Sequence, residues 1–178
     1  MSEGKPGNRA PIWILVAVGG CGCLVLLTGV LGILAAIVIP NFIDASEKAK
    51  QKRTMSDLRS AGTAWLSWMV DHEDEAARLT SGALAADRLE ALLVPEYISA
   101  LAATDGWGHA LEFRILDSGA PGFPSLEIQS PGRDGVFETP PDIEEEFPAY
   151  DYDRDIVWRD GLFLLYPGAV SAPASAPP

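Results

Sequence analysis

Residues 12–39 form a run of 28 positions without a charge, and Pro40 follows at once. As a single α-helix, at about 1.5 Å per residue, the run would reach roughly 42 Å, more than the roughly 30 Å of a bilayer's hydrocarbon core. It therefore spans a membrane with length to spare. A secretory signal peptide would be shorter and would end in a small-residue cleavage site before polar sequence, so most of this run stays in the mature chain. Lys5 and Arg9 precede it, while Lys48, Lys50, Lys52 and Arg53 follow it, partly offset by Asp44 and Glu47, so charge alone does not set the orientation. The short arm at 1–11 and the large C-terminal portion favour a signal anchor with the N-terminus in the cytoplasm and the rest outside it.

About 53 residues of the 178 are spent on anchor and stalk, which leaves enough chain for one small globular domain with a modest core. The formal net charge is −12, and beyond Arg53 seven basic side chains face 22 acidic ones, a net −15. Nucleic acid is not expected as a partner on this ground. Such acidity suits the solvated surface of an exported domain and equally a divalent-cation ligand set. Cys21 and Cys23 lie inside the apolar run, two residues apart and so on different helix faces, which excludes a disulfide framework.

Past Pro40, which lacks an amide donor and disfavours helical geometry at Ile39, a kink or local melting is expected before an amphipathic stalk helix over 40–72. Phe42, Ala45, Ala49, Leu58, Ala61, Trp65, Trp68 and Met69 recur at three- and four-residue steps and predict one apolar stripe on it. The acidic cluster at 71–75 ends the helix and opens a connecting loop. Leu84, Leu89, Leu92 and Leu93, stopped by Pro95, predict a second helix within 84–98. Trp107 between Gly106 and Gly108 reads as a turn with a large anchor. Strands are expected at 111–116, 126–130 and 162–166, with Gly119, Pro121, Gly122 and Pro124 between the first two. Residues 168–178, rich in Ala, Ser and Pro, read as a disordered tail, leaving 73–167 as the globular α+β domain.

The residues that bear on kinship follow this order. GILAAIVIPNF at 32–42 closes the membrane helix; LLVPEYI at 92–98, TDGWG at 104–108, SPGRDG at 130–135, and Asp153-Arg154-Asp155-Ile156 with Trp158 come after it. Over about residues 30–158 the chain resembles the type IV pilin-like superfamily, and within it the major, G-type pseudopilin of type II secretion systems. That resemblance implies a long N-terminal helix, half in the membrane and half packed on a small antiparallel sheet. It implies a bacterial inner-membrane protein whose C-terminal domain is periplasmic and whose helices stack into a filament supporting protein secretion. Gly32, Ala35, Ala36, Pro40 and Phe42 match the assembly helix, and small residues there permit close helix approach. Self-association, other pseudopilins, the inner-membrane secretion machinery and lipid are the implied partners.

The chain departs from the family upstream of that segment. Aligning on Gly32 puts Gly19 where the mature chain would begin and Cys23 where a glutamate belongs, and the basic-residue–glycine cleavage signal is missing. The two losses agree with each other, since a glutamate in hydrocarbon is costly unless it pairs with a freed amine. They favour a second reading, an uncleaved membrane-anchored accessory or binding protein that does not polymerise.

In the G-type family one loop binds calcium, and Asp134, Asp153 and Asp155 match its motif, with carbonyls around Ser130 and Arg133 as further ligands. The helix-loop-helix calcium pattern is rejected, because Ile156 and Leu162 occupy its glycine and glutamate places. The alternative is a solvated acidic loop neutralised by Arg133, Arg154 and Arg159. Catalysis is not expected: His72 and His109 are the only histidines, and no nucleophile elbow, zinc-binding helix or phosphate-cradling loop is present.

Overall fold

The computed structural model describes residues 12–117 and 123–168, with side chains from Thr28 onward. The expectations for the N-terminal arm, for the side chains of Cys21 and Cys23, and for the tail past Gly168 lie outside the described residues. Chain order is α1 (Ile12–Asp71), α2 (Glu73–Ala76), β1 (Gly82–Leu84), α3 (Ala86–Leu93), β2 (Glu112–Leu116), β3 (Ser125–Ser130), β4 (Glu145–Phe147), β5 (Ile156–Arg159) and β6 (Leu162–Pro167). Two compact units divide it, Met1–Asp44 and Ala45–Pro178.

In the first unit the backbone is helical from Ile12. Val30, Leu31, Ile33, Leu34, Ile37, Val38 and Ile39 are each more than half exposed. This is the one helix among the described residues long and apolar enough to cross a membrane. Of the kink or local melting expected at Pro40, the melting does not occur, and α1 continues through it. A proline inside a helix removes one intrahelical bond.

In the second unit Leu58, Ala61, Ala64, Trp65, Trp68 and Met69 of α1 are buried. The lower part of the expected stripe packs on the domain, Phe42, Ala45 and Ala49 of its upper part are exposed, and the buried positions above Leu58 are Gln51 and Thr54. The same three- and four-residue spacing carries apolar residues below and polar ones above. α1 ends at Asp71, where the acidic cluster begins. That cluster is not loop throughout; Glu73, Asp74 and Glu75 form the first turn of α2, where the helix dipole favours negative charge. The second helix is shorter than 84–98, because Leu84 is taken into β1.

The α+β class is as read, with a larger sheet than the three expected strands. Six strands lie in the order β1-β2-β3-β5-β6-β4, all neighbours antiparallel except the parallel pair β4–β6. Register explains the core. Phe113, Ile128 and Trp158 stand opposite one another across β2, β3 and β5, and all three are buried in one cluster with Leu58, Trp65 and Trp68 of α1. Gly62 of α1 is where the helix meets this row, since a Cβ there would fall 2.3 Å from the Trp158 ring.

One residue along, side chains reverse face. Arg114, Glu127 and Arg159 then stand opposite one another. Glu127, only 2% exposed, accepts from Arg114 Nη1 at 3.3 Å and from Arg159 Nε at 3.1 Å. This explains how β3 can be buried at all six positions while its sequence alternates apolar and polar residues.

Candidate functional site

The polar stretch of α1 meets the turn at 104–108. Thr54 Oγ1 donates to Lys50 O at 3.0 Å and accepts from the Gly106 N–H at 2.8 Å. Trp107 Nε1 donates to Glu47 Oε2 at 2.5 Å, and Lys50 Nζ holds the other oxygen of Glu47 at 2.9 Å. Gly106 is required by proximity, because a Cβ would lie 2.4 Å from Lys50 O.

Asp105, 3% exposed, ties this turn to the end of β3. Its Oδ1 accepts the N–H groups of Trp107 and His109, both at 2.9 Å, and its Oδ2 accepts the Ser130 hydroxyl at 2.9 Å. Ser130 Oγ accepts in turn from the Gly132 N–H at 3.3 Å, and His109 Nδ1 lies 2.8 Å from Gly132 O. An aspartate, a histidine and a serine are thus gathered, but not wired for nucleophilic catalysis. The serine gives its proton to the aspartate, and the histidine spends Nδ1 on a backbone carbonyl, where a hydrolytic triad needs the histidine between the other two. The arrangement is a joint.

Beyond it runs the acidic loop, entered through Gly132 and Gly135 in left-handed conformations (φ +68° and +72°). The three expected metal ligands fare differently there. Asp134 Oδ1 accepts the Val136 N–H at 2.9 Å. Asp153 presents both oxygens to Arg133, at 2.8 Å each, and this guanidinium holds its carboxyl below the usual range. Arg154 likewise reaches Glu138 at 2.9 Å and Glu145 at 3.3 Å. Arg159 turns instead to the sheet and Glu127.

Asp155 is fully buried. Its Oδ2 accepts from Gln129 Nε2 at 2.5 Å and from the Glu138 N–H at 2.9 Å, whereas Oδ1 has no partner. Burial pushes its pKa up to about 6, with the charges of Glu138 and Asp134 adding to the effect and the two hydrogen bonds opposing it.

Among the described residues no group of three or more His, Cys, Asp and Glu side chains is arranged to hold a metal ion. The three expected ligands are not brought together: Asp155 keeps one buried oxygen, Oδ1, without a hydrogen-bond partner, Asp134 accepts the Val136 N–H, and Asp153 is held by Arg133.

The residues expected to serve assembly lie on α1 with open surroundings. Gly32, Ala35, Ala36 and Pro40 are exposed, Phe42 is 71% exposed, and a Cβ on Gly32 would meet nothing within 4 Å. The joint itself, with Asp105, Thr54 and Glu47, is absent from the sequence reading. Its signal was Gln51 and Thr54 at helical spacing above Leu58, polar residues continuing an apolar face. No protein-family model, curated protein or solved structure matches the chain.

Proposed function

We propose that the chain is a pilin-like subunit, of the G-type pseudopilin kind, serving a type II secretion pseudopilus or a related fibre in the bacterial inner membrane. The observation that carries this reading is the division of labour along α1: apolar side chains stand open over residues 30–39, and the same helix carries from Leu58 to Met69 the face on which the sheet is built. Exposed small and apolar residues of the first stretch would contact lipid or the matching helix of another copy. Copies related by a rotation that does not close would form a fibre. On this reading the N-terminus is cytoplasmic, the second unit is periplasmic, and no side chain acts as a catalyst.

A loop-bound calcium belongs to the same proposal. Asp134, Asp153 and Asp155 would hold the ion, Asp153 on leaving Arg133, with backbone carbonyls around Ser130 and Arg133, and the ion would offset the repulsion among these carboxylates.

The second reading, an uncleaved tether that never polymerises, is favoured by Gly19 and Cys23 at the positions where processing and a membrane glutamate belong. Intact-mass measurement of the protein purified from membranes separates the two. Loss of about 18 residues with methylation of the new amine is the fibre outcome, following the alignment that puts the mature start at Gly19. A full-length chain is the tether outcome.

A further inference from the structure

In a domain so rich in carboxylates, a guanidinium without one is the exception. The second unit contains eight arginines. Arg53, Arg114, Arg133, Arg154 and Arg159 are paired with carboxylates, and Arg59 lies over the Phe163 ring. Arg78 and Arg88 have neither kind of partner among the described residues, and both line the same cleft.

That cleft, about 230 Å³, is bounded by Trp68, Glu75, Arg78, Leu79, Arg88 and Leu92. Three segments build it: the end of α1, the turn after α2, and α3. Trp68 forms its floor at 3% exposure, fixed between the rings of Trp65 and His72 at 5.1 and 5.3 Å. The wall after α2 is held by Arg78 N–H to Glu75 O at 3.1 Å and Leu79 N–H to Ala76 O at 3.0 Å. Tyr97, past α3, donates to Asp71 at 3.0 Å and so ties the third segment back to α1.

Size and charge together restrict the occupant. At about 230 Å³ the cleft lies below the roughly 300–1,000 Å³ of pockets that enclose larger ligands, which suits a small molecule. Two arginines call for a carboxylate, which guanidinium groups match in shape as well as charge. Glu75 on the same wall calls for a cation and would repel a second carboxylate. The indole and the two leucines call for an apolar body. A simple fatty acid leaves Glu75 unanswered, and a dicarboxylate opposes it.

We propose that this cleft binds a free apolar α-amino acid, its carboxylate between Arg78 and Arg88, its ammonium on Glu75, and its side chain against Trp68, Leu79 and Leu92. This site is independent of the fibre and tether readings.

Calorimetric titration of the full chain in detergent micelles tests it with L-leucine, L-leucinamide, N-acetyl-L-leucine and L-glutamate. Saturable binding of leucine is expected, weakened at least about tenfold in leucinamide, in N-acetyl-leucine and in the Arg78→Gln and Arg88→Gln proteins. Glutamate should not bind. The arginine side chains are exposed, so both variants should keep the parent's circular dichroism. Absence of saturation by about 10 mM leucine would overturn the proposal, as would binding that ignores both arginine substitutions. Equal affinity for N-acetyl-leucine would also overturn it, and would assign the cleft to the C-terminal carboxylate of a polypeptide.

Discussion

Asp155 carries an ionisable group where water does not reach. With its pKa pushed up to about 6, the folded chain holds this proton more tightly than the unfolded one does. Its contribution is therefore favourable below the ordinary carboxylate range and is lost as pH rises from about 4 to about 6. In the presence of a chelator, Asp155→Asn should flatten the melting-temperature profile across that window. If calcium occupies the loop, added calcium should stabilise the parent and not the Asp155→Asn protein; a parent melting temperature indifferent to both calcium and chelator would remove the metal. Asp155 was legible in the sequence as an acidic residue in a matching motif. Its burial was not, because that depends on Gln129 and Glu138 arriving from other segments.

Among the elements, the α1 contact with the turn at 104–108 is the one most open to a single substitution. Thr54→Val keeps the side chain's shape and deletes the acceptor of the Gly106 N–H, leaving a donor unmatched. A loss of about 1–3 kcal/mol is expected, together with faster hydrogen exchange at the Gly106 amide. Unchanged exchange there would mean that Thr54 only fills space. The elements themselves were legible where their patterns were long. The end of α1 follows from charge at 71–75, and β2, β3 and β6 follow from short apolar or alternating runs. β1 and β4 were not legible, since three residues show no period, and Glu145-Glu146-Phe147 reads as charged loop. β5 passed as motif residues because Asp155, Arg154 and Arg159 around it suggested ligands and ion pairs. The outer row Arg114–Glu127–Arg159 could not be read from β3 alone, where Glu127 looks like a solvent-facing residue; only the cross-strand register brings the arginines to it.

For the molecule as a whole, the apolar end of α1 is the feature to test. Seven apolar side chains along residues 30–39 are more than half exposed, and on the spanning reading lipid covers them. The full chain should stay in the membrane pellet through an alkaline carbonate wash, and its release would contradict a spanning helix. The sheet sets a different limit on how copies could meet. Its two borders, β1 and β4, are three residues long, and β4 sits in the acidic segment. Borders this short, one of them charged, give a neighbouring strand little to zip onto. Copies of this chain are thereby steered away from strand-to-strand pairing, and an ordered assembly of them would draw on other surfaces, contacts that can be undone without unravelling the subunit.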